Sequence, residues 1–179
     1  MNTTNFYIAQ KYAISYFMSK GENIEDKKKN FDEVIDKINK NLFYLSNPSI
    51  SLDVKKQVIE KILGPYKNKQ IASLLFIMIK NKRINLIKEV YKRFNAMYFD
   101  WKNMIEVDVI SRHELTDKDK EIISSIFLKL TSKKPYIKVW KDDSIIGGFI
   151  IKWDDKIIDA TINKKINLIV ENTLKGDGL

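Results

Sequence analysis

A chain of 179 residues, 44% hydrophobic and 31% charged, has enough apolar material for one large domain or two small ones and is too apolar to be disordered. It contains no cysteine, which excludes disulfides, thiolate metal sites and cysteine nucleophiles. Its net charge of +9 arises wholly within residues 1–105, where 19 Lys+Arg face 10 Asp+Glu, against 13 and 13 in residues 106–179. No basic segment leading into an apolar run opens the chain, and the longest uncharged apolar block, Ile71 to Ile79, is far short of the roughly 20 residues of a spanning helix, which predicts a soluble protein without a signal peptide.

From Thr3 to Lys20, Phe6, Ala9, Ala13 and Tyr16/Phe17 recur at helical spacing, with Gly21 just past the end. Phe31, Val34/Ile35, Ile38, Leu42 and Leu45 predict a second helix before "SNPS". Val54, Val58 and Ile62 predict a third, capped by Ser51 and stopped at Gly64-Pro65. "IASLLFIMIK" is apolar on nearly every side, so it reads as a central helix surrounded by others. Ile84, Ile87, Tyr91, Phe94, Tyr98, Trp101 and Ile105 then trace a long fifth helix.

After Ile105 the period changes to two, with Val107 and Val109 on one side of a strand, and a second domain is expected over 106–179. "TDKD" from Thr116 has the form of a capping box, opening a helix whose inner face is Ile122, Ile123, Ile126, Phe127 and Leu130. "PYIKVWK", "SIIGGFIIKW" and "KIIDATI" read as strands joined at Asp142-Asp143 and Asp154-Asp155, and Ile162, Ile166, Ile169 and Val170 predict a closing helix that Asp159 or Thr161 caps. Gly147 and Gly148 stand inside an isoleucine run, where glycine marks a bulge, a bend or a close approach.

Chemistry is sparse. His113 is the only histidine, so no histidine metal cluster can form within the chain, and neither a Gly-rich phosphate loop nor a G-x-S-x-G turn occurs. Basic runs at Lys27 to Lys29, Lys133-Lys134 and Lys164-Lys165 keep a basic nucleic-acid-binding regulatory protein as the alternative. Yet 29 of the 32 basic residues are lysine, which lacks arginine's planar fork for reading guanine or clamping phosphate. An interaction module without a reacting group is what the residues favour.

The block "DDSIIGGFIIKWDDKIIDATINKKINLI", read as a whole, resembles the C-terminal signature of the ATP synthase delta subunit, or oligomycin-sensitivity-conferring protein, family. It has the acidic turn, apolar pair, Gly147-Gly148, apolar strand, second acidic turn, then Asp159, a small residue and a hydroxyl. Thr161 stands where serine is usual. "KYAISYF", "NPSI", "IKNKRINLIKEVY" and "SRHELTDKDKEII" are similar to the family's other conserved stretches, in the right order.

The resemblance implies a mainly α protein with an α+β part: an N-terminal six-helix bundle over 1–105, followed by a small α/β C-terminal domain. It implies no catalytic residue, cofactor or metal, and a stator role in the peripheral stalk of the proton-translocating ATP synthase. The bundle would bind an alpha-subunit helix of the catalytic head, in a groove between the first and the long fifth helix, through Tyr12, Ala13, Tyr16, Ile87 and Tyr91. The second domain would engage the b subunits, with Gly147, Gly148, Asp159 and Thr161 as family signature. The implied location is the cell's inner membrane, peripheral, on the cytoplasmic side.

Overall fold

Helical spacing becomes helix wherever a polar cap or a left-handed residue lets it end. The computed structural model describes residues 3–64, 69–162 and 164. In chain order these hold α1 (Thr3–Met18), α2 (Ile24–Lys40), α3 (Leu42–Ser46), α4 (Leu52–Leu63), α5 (Gln70–Lys80), a 3-10 turn (Ile84–Leu86) and α6 (Ile87–Trp101). Asn23 opens α2 by accepting from the Asp26 N–H at 2.7 Å, and Ser51 opens α4 by accepting from Val54 at 3.4 Å. The chain is mostly helical with a small mixed sheet. Its contacts divide it into two compact units, Met1–Tyr98 and Phe99–Leu179.

In the first unit α5 touches α1, α2 and α4. Ile71, Leu75 and Met78 of α5 are fully buried with Ala9, Ala13, Phe31, Ile38 and Phe94. Phe31 is the aromatic hub, its ring 5.5 Å from Tyr16, 5.0 Å from Tyr91 and 5.6 Å from Phe94. Burying each such side chain contributes about 1.5–3 kcal/mol before the entropy of ordering it is set against that gain.

Two expected helices are shorter than their apolar stripes. Asn41 ends α2, and Leu42 and Leu45 fall in the separate α3. The stripe from Ile84 to Ile105 is divided as well: Ile84 lies in the 3-10 turn, α6 stops at Trp101, and Ile105 belongs to a strand. Asn103, with φ of 52°, breaks the helix there. The compact units part inside α6, between Tyr98 and Phe99. Phe99 already packs its ring 5.1 Å from Tyr136. A change of period marks where a strand starts, whereas compactness follows where side chains change partners.

The second unit contains β1 (Met104–Ser111), α7 (Asp117–Thr131), β2 (Lys134–Lys141), β3 (Phe149–Trp153) and β4 (Lys156–Asp159), with sheet order β2-β1-β3-β4. β1 pairs parallel with β2 across the α7 crossover and antiparallel with β3, which pairs antiparallel with β4. Thr116 and Asp119 form the capping box of α7. Only Ile123 and Phe127 of the expected inner face are buried, joining Val107, Val109, Ile151 and Trp153, while Ile122, Ile126 and Leu130 are exposed. Among the described residues, α7 is the helix that rests on the sheet, along a narrow strip through Ile123 and Phe127.

The glycine pair is explained by its own chain. β3 begins at Phe149, so Gly147 and Gly148 form a bend before it, not the strand interior that the isoleucine run suggests. The segment after β4 crosses directly over them: Ala160 N–H donates to Phe149 O at 3.0 Å and Ile162 N–H to Gly147 O at 2.9 Å. Gly148 has φ of 80°, and a Cβ there would lie 2.3 Å from Ala160 O. β4 ends at Asp159, where Thr161 donates backbone N–H and hydroxyl to Asp159 Oδ1 at 3.0 and 2.7 Å and accepts from Lys164 N–H at 3.3 Å. Ile166, Ile169 and Val170 of the expected closing helix lie outside the described residues.

Three such local caps make the second unit acid-sensitive. Hydrogen bonds from Thr116, Ser144 and Thr161 hold the carboxyls of Asp119, Asp142 and Asp159 below the ordinary value of 3.8. Each group is charged more readily folded than unfolded, so its stabilisation is present above that value and disappears as pH falls through the folded pKa. The urea midpoint of this unit, followed by tryptophan fluorescence, is expected to drop below about pH 4, with a shallower drop when all three residues are changed to Asn.

Candidate partner-binding cleft

α5 is apolar almost all round, yet it is not enclosed. Ile77 is 51% exposed. The uncovered flank forms one wall of a cleft of about 530 Å³, and α1 forms the other. Tyr12, Tyr16, Leu74, Ile77 and Ile8 give the cleft its apolar walls, and Ser15, Ser73, Ser19 and Gln70 add neutral polar groups. Among the described residues, Lys11 and Arg83 are the charged side chains lining it, and no carboxylate does.

The two walls run antiparallel and are pinned at both ends. At one end Asn81 Nδ2 donates to Tyr12 Oη at 2.8 Å; at the other Gln70 Nε2 donates to Lys20 O at 2.9 Å. The N-cap position of α5, Lys69, offers no side-chain cap. Glu22, from the α1–α2 loop, takes that role by accepting from the Gln70 backbone N–H at 2.9 Å, while its other oxygen accepts from Asn30 Nδ2 at 2.8 Å. Lys27, only 1% exposed, closes the end of α1 by donating its ammonium protons to Phe17 O at 2.9 Å and to Ser19 O. Burial pushes the Lys27 pKa down, and Glu22 opposes that shift. The Tyr16 hydroxyl donates to Lys27 O at 3.2 Å, and its pKa is pushed far up by burial and then by Glu22.

The five residues expected at a groove are not brought together. Tyr12 and Tyr16 both line this cleft. Ala13 and Ile87 do not, because both are fully buried in the core and present no surface to a partner. Tyr91 is turned to α2, its hydroxyl donating to Asp32 Oδ1 at 2.6 Å and its ring against Phe31. The open cleft thus lies between α1 and α5, where the sequence suggested the first helix and the later, longer one. Ile8 of α1 and Leu74 and Ile77 of α5 also line the cleft and were not among the residues offered for a groove; for the two on α5 the sequence showed only an apolar pattern that runs nearly all round the helix. Gly147, Gly148, Asp159 and Thr161 belong to the second unit, where they hold the chain after β4 against the start of β3.

The cleft offers an apolar trough edged by neutral and basic side chains. Among the described residues no group of three or more His, Cys, Asp or Glu could hold a metal ion, and no helix is long and apolar enough to cross a membrane. Part of the basic runs is used within the fold, with Lys27 buried, Lys28 paired to Asp32 and Lys133 paired to Asp100 at 2.7 Å.

Residues 8–172 match the family model described as ATP synthase delta (OSCP) subunit. The chain is 29% identical over 176 residues to ATP synthase subunit delta of Fervidobacterium nodosum, covering 96% of this chain and 97% of that one. It is 30% identical over 180 residues to ATP synthase subunit delta of Rickettsia felis, covering 96% and 95%. In fold it is similar to a chain of the Toxoplasma gondii mitochondrial ATP synthase hexamer, with a TM-score of 0.68 at 15% identity over 93% of this chain and 97% of that one.

Proposed function

The chain belongs to the ATP synthase delta (OSCP) subunit family, and from that premise we propose how its two units grip the rest of the synthase. It is a non-catalytic component of the peripheral stalk, the stator that keeps the catalytic head from turning with the rotor. The first unit, taken as the family's six-helix bundle, receives an amphipathic helix of an alpha subunit in the cleft between α1 and α5. The second unit, the C-terminal α/β domain, engages the b subunits. The protein sits at the inner membrane, peripheral, on the cytoplasmic side.

The observation that carries this reading is the half-exposed Ile77 on a helix whose other large apolar residues are buried or partly buried. An apolar flank between two pinned walls suits a helix-in-groove contact, which gains from burial without any rearrangement of the receptor. The lysine excess supplies no comparable feature for nucleic acid, and the relatives described are ATP synthase delta subunits.

Because Ile77 already faces water, Ile77→Asp should leave the helical circular dichroism and melting of the chain close to wild type. Its affinity for purified catalytic head should fall by about tenfold or more. Head binding at wild-type strength by this variant would remove the cleft from the interface, and retention of duplex DNA at moderate salt by the wild-type chain would favour the regulator instead.

A further inference from the structure

The cleft is chemically lopsided. Lys11 and Ile8 line it towards the end where Tyr12 meets Asn81, and Arg83 lines it just beyond that end of α5. Lys82, left-handed at φ of 55°, closes α5 by donating its N–H to Ile79 O at 2.8 Å, and the Arg83 N–H donates to Met78 O at 2.8 Å. This closure fixes the backbone from which the Arg83 side chain reaches the cleft. Neither Lys11 nor Arg83 has a carboxylate partner among the described residues. Among the described residues, those lining the opposite end, at Ser19 and Gln70, are neutral, and the nearby Glu22 is spent on Gln70 and Asn30.

Two cations beside an apolar trough, with no anion of their own, describe the missing partner. We propose that Lys11 and Arg83 are specificity-determining residues that select a docked helix bearing carboxylates beside its apolar stripe, and set its register by pairing with them at the Tyr12–Asn81 end. This rests on the reading that the cleft receives a helix. A carboxylate slid towards the other end would lie against Leu74 and the serines, losing its partners while still shedding water. Arginine adds direction, because its planar fork meets a carboxylate through two parallel hydrogen bonds. The apolar walls supply the grip, and the charged end decides which helix is gripped and where.

The test measures binding of the full chain to purified catalytic head at about 50 and about 300 mM salt, where screening changes most for exposed charges. Lys11→Glu/Arg83→Glu is expected to weaken binding by about tenfold or more at the lower salt and to invert the salt dependence seen with wild type, since salt would screen the new repulsion. Both side chains are exposed, so the helical melt should be unchanged. If it is not, Lys11→Gln/Arg83→Gln is read in its place, with a smaller loss and a flattened salt dependence expected. Wild-type affinity and salt dependence in the folded charge variants would overturn the inference. When Ile77→Asp still abolishes binding, the cleft reading survives that result; when Ile77→Asp binds normally, the cleft reading itself has failed. Self-association of the chain alone, abolished by the same charge reversal, would assign the cleft to a second copy and likewise overturn the proposal.

Discussion

Gly148→Ala should unfold the second unit while leaving the first intact. The added Cβ would stand 2.3 Å from Ala160 O, 3.0 Å from Thr161 Cα and 3.1 Å from Ala160 C, all backbone atoms, at a φ of 80° that side-chain-bearing residues rarely adopt. Relief requires the segment after β4 to lift, which breaks the bonds from Ala160 to Phe149 and from Ile162 to Gly147. Strain, overpacking and lost hydrogen bonds together should cost about 3 kcal/mol or more, a large part of the stability of so small a unit. Gly147→Ala is the control. Its Cβ would come 2.7 Å from Ile162 Cδ1, the tip of a side chain that is 46% exposed and free to swing aside, so the cost should be about 1 kcal/mol. Trp101, Trp140 and Trp153 all lie in the second unit, so fluorescence against urea reports it selectively, while the helical circular dichroism is dominated by the first. A Gly148 variant as stable as the Gly147 one would show that the bend relaxes without cost.

Ala13→Arg should have an effect of similar size on the other unit. Ala13 is 0% exposed in the cluster built around Phe31 and Phe94. Arginine there would need space that a close-packed core does not have, and would bring a charge that cannot be neutralised near pH 7. Overpacking alone costs about 1–3 kcal/mol and an unpaired buried charge adds several more, so the bundle is expected to melt far below wild type or not to fold. The contrast with Ile77→Asp separates the two kinds of apolar position on these helices. One variant loses the fold and the other only the partner. A normally folded Ala13→Arg protein would mean that α1 can rotate its inner face outward.

Local and periodic features were legible. Ser51 and the Thr116–Asp119 box act within a few residues, so the sequence alone carries them, and the end of the chain carried the family resemblance; the Asn23 cap of α2 was not read. Long-range features were not. The glycine pair could be recognised as unusual, but its cause is the return of Ala160 and Thr161, which no local pattern encodes. Lys27 looked like part of a solvated basic run, yet its aliphatic stem is buried and its ammonium caps α1. Of the residues offered for a groove, Tyr12 and Tyr16 line the cleft, while Ala13 and Ile87 are buried and Tyr91 turns to α2. Helical periodicity tells which face of α1 is apolar but not that Ala13 meets the core while Tyr12 meets the cleft, and it gives no warning that α5 keeps Ile77 in water. α7 erred the other way, since only Ile123 and Phe127 of its apolar stripe are buried.

The sheet order has a mechanical corollary. β1 follows α6 after a two-residue turn and lies between β2 and β3, paired along all eight of its residues with the first and along four with the second. A pull arriving through α6 therefore enters at an interior strand, and whatever part of it runs along β1 is borne by both neighbours. To yield, β1 would have to slide past both neighbours together, straining many bonds in parallel, whereas a strand at the margin could be peeled away one pair at a time.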